Sequence, residues 1–183
     1  MKLAIMLGDG FEPIEAMCPT DVLRRGGVDV TLVSVMPTKH VIAAQGITVV
    51  ADVVVADTDL MEFDAICLPG GMGGVENLTK CDKLTAALPK FMDDGGRMVA
   101  AICAGPTILS SLGLLHGRKA TCYPGCETDF PEGVYCGQDV CKDGNLITAS
   151  GPAYALEFGV ELLRALAGNA VASQVMEDML IKG

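Results

Sequence analysis

Met98-Val99-Ala100-Ala101-Ile102-Cys103-Ala104-Gly105-Pro106 decides the fold. It reads as a short apolar strand, one cysteine, and then small residues that open a helix. A side chain at the tip of such a strand-to-helix turn is pushed out of the sheet and held in a sparsely populated backbone conformation. Ala101 and Gly105, two residues before and after Cys103, leave the chain room to turn that tightly, as the glycines of a G-x-S-x-G nucleophile elbow do. The amides that begin the following helix favour negative charge, which suits a thiolate. From this turn alone Cys103 is either an activated nucleophilic or redox cysteine or a cysteine buried in an α/β core.

Working outward, Lys2–Leu7 and Asp29–Val35 are β-branched apolar runs separated by a helical stretch from about Pro13 to Arg25. That is one βαβ unit. Pro13 suits the first helical turn, whereas Pro19 predicts a kink. Val41–Ala43 and Ile47–Val50 flank Gln45-Gly46 as a hairpin laid over one edge. Asp64–Leu68 is a third core strand, running into the glycine-rich loop Pro69–Gly74. A helix follows from about Asp82 to Asp94, and another from Pro106 to Leu115 after the elbow. Val140–Thr148 carries Asp143-Gly144 as a hairpin turn. Two helices, about Ala153–Ala167 and Ala170–Ile181, end the chain. Alternating strands and helices predict one α/β domain over residues 1–183, a doubly wound and mostly parallel sheet whose ligands bind beyond the carboxyl ends of the strands.

Composition narrows the function. A formal charge of −10 argues against nucleic acid as a partner. No apolar run approaches the roughly 20 residues of a membrane span, and the N-terminal run is too short for a signal peptide. A cytoplasmic protein is expected. Eight cysteines in a chain of this length do not suggest a disulfide scaffold. Cys122, Cys126, Cys136 and Cys141 are close in sequence, but their spacings match no paired zinc knuckle, and no metal is expected.

Three segments should converge on one rim of the sheet: Gly8–Glu15, Gly70–Gly74 and Cys103. The glycine run matches neither a P-loop nor a dinucleotide fingerprint, so no nucleotide cofactor is expected. Its better use is to expose a backbone N–H near the elbow, which with the amide of Ala104 would form an oxyanion hole. Only two histidines exist, and both fit poorly as a base. His116 lies beyond the elbow helix, roughly 15 Å or more away by helical rise, and His40 precedes the hairpin. Glu15 remains as the acid–base partner: a protonated carboxyl beside a thiolate donates a hydrogen bond and later moves a proton. The alternative is an exposed helix glutamate.

Glu12-Pro13-Ile14-Glu15-Ala16, Leu68-Pro69-Gly70-Gly71 and Ala101-Ile102-Cys103-Ala104-Gly105-Pro106 resemble, in order and spacing, the motifs of the ThiJ/PfpI superfamily. Ser150-Gly151-Pro152, followed by a helix with Glu157-Phe158, adds to the likeness, which covers essentially the whole chain. Ala104 after the cysteine is similar to the deglycase and glyoxalase III-like branch, whereas the protease branch carries a histidine there. The resemblance implies a flavodoxin-like fold, a reactive Cys103 hydrogen-bonded to Glu15, and backbone amides of Gly71 and Ala104 lining the site beside Gly70, Gly151 and Pro152. It also implies a homodimer. Two positions depart from relatives: Tyr123 stands where several carry a histidine, and Gln45 where some carry an arginine. A tyrosine donates a hydrogen bond but shuttles protons poorly near neutral pH.

The expected activity is cofactor-free chemistry on small reactive carbonyls or glycated substrates, by Cys103 and Glu15. Alternatives are a redox-sensing or chaperone-like protein whose output is oxidation of Cys103, and a cysteine protease or amidase, which the missing histidine disfavours.

Overall fold

The computed structural model describes residues 1–182. Its first half contains β1 (Lys2–Leu7), α1 (Pro13–Arg25), β2 (Asp29–Ser34), β3 (His40–Ile42), β4 (Thr48–Val50), β5 (Val53–Val54) and β6 (Ala65–Leu68). There follow α2 (Met72–Thr79), α3 (Asp82–Asp93), β7 (Met98–Ile102), α4 (Pro106–Ser111), β8 (Val140–Asp143), β9 (Leu146–Ala149), α5 (Ala155–Ala167) and α6 (Asn169–Asp178).

The core strands are apolar on both faces, and side-chain alternation sends each residue to one of two cores. Leu3, Ile5 and Leu7 of β1 join Cys67 and Ile102 in one core, against Val22 and Leu23 of α1 and Phe158, Leu162 and Leu163 of α5. Ala4 and Met6 join Ile66, Leu68, Val99 and Ala101 in the other, against α2, α3 and α4. The sheet is therefore sandwiched between helices. Its seven strands run in the order β5-β2-β1-β6-β7-β9-β8, all parallel except β8, which pairs antiparallel with β9. Chain order reverses between β1 and β6, the switch point beside which doubly wound folds form ligand crevices.

The βαβ unit, the three central strands and the β8–β9 hairpin lie where the sequence predicts them. The β3–β4 hairpin is a separate antiparallel pair, tied down by the Gly10 N–H to Ile42 O (2.7 Å) and the Ile42 N–H to Asp9 Oδ1 (2.8 Å). Three differences stand out. The glycine-rich segment read as a loop opens α2. The elbow helix stops at Ser111 rather than Leu115, because Gly113 takes φ +72°. Pro19 sits inside an unbroken α1, where its ring removes only the N–H that would have bonded the Glu15 carbonyl. There α1 meets α5 so closely that a Cβ on Gly159 would lie 3.0 Å from Pro19 Cα.

Candidate functional site

Cys103 follows β7 with φ +62°, a left-handed conformation that costs a non-glycine residue roughly 1–2 kcal/mol. Hydrogen bonds on both sides hold it there. Its N–H donates to Ala149 O of β9 (2.9 Å), and its carbonyl accepts from the N–H of Tyr123 (2.9 Å). Gly105 has no room for a side chain, since a Cβ would run into the Leu68 carbonyl. The elbow that the sequence predicts is thus present, braced by β9 on one side and by the loop segment at Tyr123 on the other.

Glu15 reaches the same point from α1. Glu12 caps that helix by accepting the Glu15 N–H on its side chain (2.8 Å), which sets Glu15 on the turn facing β6 and β7. The Glu15 side chain is 0% exposed, so the surface-glutamate alternative does not hold. Its Oε2 accepts the Gly70 N–H (2.8 Å), while Oε1 has no hydrogen bond of normal geometry. Burial pushes this carboxyl up to about 7, against the opposing pull of the Cys103 thiol and the Gly70 amide. Gly70 is glycine for a steric reason. A Cβ there would sit 2.6 Å from Glu15 Oε2 and 2.7 Å from Cys103 Cβ.

The amides of Ala104 and Gly71 both act on the Cys103 thiol and favour its ionised form. They are outweighed, first by burial and then by the Glu15 charge, which together push the thiol up to about 12. The helix behind the elbow gives less help than the sequence suggests: α4 has six residues, and Pro106 at its start offers no N–H. Burial holds both groups toward their neutral forms, and the Glu15 charge adds to the cost of a thiolate at Cys103.

Tyr123, Gly151 and Pro152 line one cavity of about 320 Å³ beside the elbow. Gly151 lies against the Tyr123 ring; a Cβ there would be 3.3 Å from Cδ2. Gln45 is exposed at the tip of the β3–β4 hairpin and does not line this cavity. His40 and His116 are both exposed and do not line it either. Tyr135, Tyr154 and Asp139, which the sequence reading passed over, complete the wall. The one signal for them was that all three tyrosines of a tryptophan-free chain fall between residues 123 and 154. Among the described residues, no group of three or more His, Cys, Asp or Glu comes together as a metal would need.

The DJ-1/PfpI family model matches residues 1–165. The chain belongs to the DJ-1/PfpI family. It is 39% identical to Protein DJ-1 homolog B of Arabidopsis thaliana over 99% of its own length, but it spans only 42% of that relative. It is 31% identical to the glutathione-independent glyoxalase DJR-1.2 of Caenorhabditis elegans, covering 98% of this chain and 95% of the relative. Among solved structures, oxidized DJ-1 of Toxoplasma gondii superposes with a TM-score of 0.94 at 34% identity, covering 98% of this chain and 97% of that one. The family membership and the fold expected from the elbow and its companion motifs are thereby established.

Proposed function

We propose that this DJ-1/PfpI family chain is a stress-protective enzyme acting on small 2-oxoaldehydes. The observation that carries the reading is the fully buried Glu15 carboxyl set against the strained, half-buried Cys103. The glyoxalase named among its relatives supports it. Glu15 takes the thiol proton, and the Cys103 sulfur adds to the aldehyde carbon. The resulting oxyanion lies within reach of the Gly71 and Ala104 amides and is protonated to a hemithioacetal. Moving the C1 proton to C2 through Glu15 converts it to a 2-hydroxyacyl thioester. Water then cleaves the C–S bond, releasing the 2-hydroxy acid and returning the proton to the thiol. Methylglyoxal plus water thus gives lactate, with no net oxidation. Purified protein should form lactate from methylglyoxal. Production by Cys103→Ser at the level of the native protein would sink the proposal.

A second reading makes oxidation of Cys103 the output. A neutral carboxyl and two amides beside one sulfur are the donors a sulfinate needs, and a relative solved in a form described as oxidized supports it. Two peroxide molecules would each transfer one oxygen to the sulfur and leave as water, adding about 32 Da. Peptide mass mapping after mild peroxide should place that mass on Cys103. Uniform oxidation across the eight cysteines would rule against it.

A further inference from the structure

The cavity beside the elbow is lined by every tyrosine of the chain and one carboxylate, and among the described residues its lining includes no lysine, arginine or histidine. Tyr123 and Tyr135 are half-exposed, so ring surface is presented to whatever enters. The Asp139 carboxylate stands beside the Tyr154 phenol, which its hydrogen bonding and charge push up, with Glu157 adding to the effect. Tyr135 is pushed up by burial and then by the charge of Glu127. The ionised groups that these two rings sense most strongly are therefore acidic. Rings that present a negative π-face, next to a carboxylate and without a competing cation, attract a positive charge and repel an anion.

Cys103 and Glu15 do not themselves line the cavity, but it adjoins the elbow through the backbone. Tyr123, one of its walls, donates its N–H to the carbonyl of Cys103, and Gly151 packs against the Tyr123 ring. About 320 Å³ is far more than a three-carbon aldehyde fills and matches the lower end of small-ligand pockets. We propose that this cavity is a subsite for a cationic group, a guanidinium or ammonium, carried on the same substrate whose carbonyl reacts at Cys103. The substrate class becomes 2-oxoaldehydes attached to a basic group rather than methylglyoxal alone. This rests on Cys103 being the reacting centre, but occupancy of the cavity does not.

Because the chain has no tryptophan and all three tyrosines line this cavity, intrinsic tyrosine emission reports on it alone. Butylguanidinium, butylurea and butyrate share a tail and differ in the charge of the head. Titrated into Cys103→Ser protein, butylguanidinium should change the emission saturably, with an affinity at least about tenfold above butylurea. Its affinity should fall as salt is raised, and butyrate should give no saturable change. Asp139→Asn should bring the guanidinium and urea affinities together. Equal binding of the two, preferential binding of butyrate, or no saturable change with any probe would overturn the subsite. In the active protein, kcat/KM for 5-guanidino-2-oxopentanal, a 2-oxoaldehyde carrying the guanidinium head, relative to methylglyoxal should fall in Asp139→Asn. If no aldehyde is turned over, the proposed enzyme activity fails while the emission titration still decides the cavity.

Discussion

Glu15 is placed so that its charge and its proton act in opposite directions on the same sulfur. As a carboxylate it repels the thiolate; as an acid it can donate to it. Glu15→Gln keeps the shape and removes both the charge and the transferable proton. Site-resolved iodoacetamide labelling should show Cys103 of this variant reacting several-fold faster at pH 7, since each unit of thiol pKa is worth about tenfold in thiolate. Methylglyoxal turnover should drop about 100-fold or more, the usual effect of losing a positioned proton carrier. An unchanged labelling profile would mean that the two groups are not coupled. Cys103 was legible because a cysteine between Ala101 and Gly105 has few other uses. The burial of Glu15 was not legible, because a glutamate three residues after Glu12 looks the same in a sequence whether its helix turns it inward or outward.

At the scale of elements, the sequence specifies strands better than glycine-bearing helices. β1, β6 and β7 announce themselves by unbroken apolar residues that must be covered on both faces. α2 hides because Gly73 and Gly74 each cost a helix roughly 1 kcal/mol against alanine. The reason they are there is contact, not conformation. A Cβ on Gly74 would lie 2.7 Å from Phe11 Cα, and one on Gly73 would lie 3.2 Å from Asp9 O. The helix has to press against the loop after β1, the loop that delivers Glu12 and Glu15. Gly74→Ala should therefore destabilise by about 1–3 kcal/mol in spite of its better helix propensity. The melting temperature should fall by several degrees, and Cys103 labelling should change with it as the two loops separate. A melting temperature that rises would show that the gap can open without cost.

For the whole molecule, one buried acid makes stability depend on pH. Glu15 is raised in the folded chain from the ordinary 4.5 to about 7, so the native state holds a proton that the unfolded chain gives up. The stabilisation is complete below the unfolded value and is lost as pH rises through about 7, up to about 3 kcal/mol. Urea midpoints should fall between pH 5 and pH 8 for the native sequence and change less for Glu15→Gln. Parallel slopes for the two proteins would refute this. The layered architecture was readable from the alternation of strands and helices, whereas the cavity wall built from Tyr135, Asp139 and Tyr154 was not, because irregular segments on either side of the β8–β9 hairpin compose it and carry no periodic pattern. The two ends of the sheet carry a last consequence. One margin is β5, only two residues long, and the other is β8, which reverses direction and bears Lys142 exposed next to Asp143. Short or charged margins offer little for a stray strand to pair with. The margins of the seven-stranded sheet are thereby poor templates for fibril growth, and its long apolar strands become available for such pairing only in a molecule that has come open.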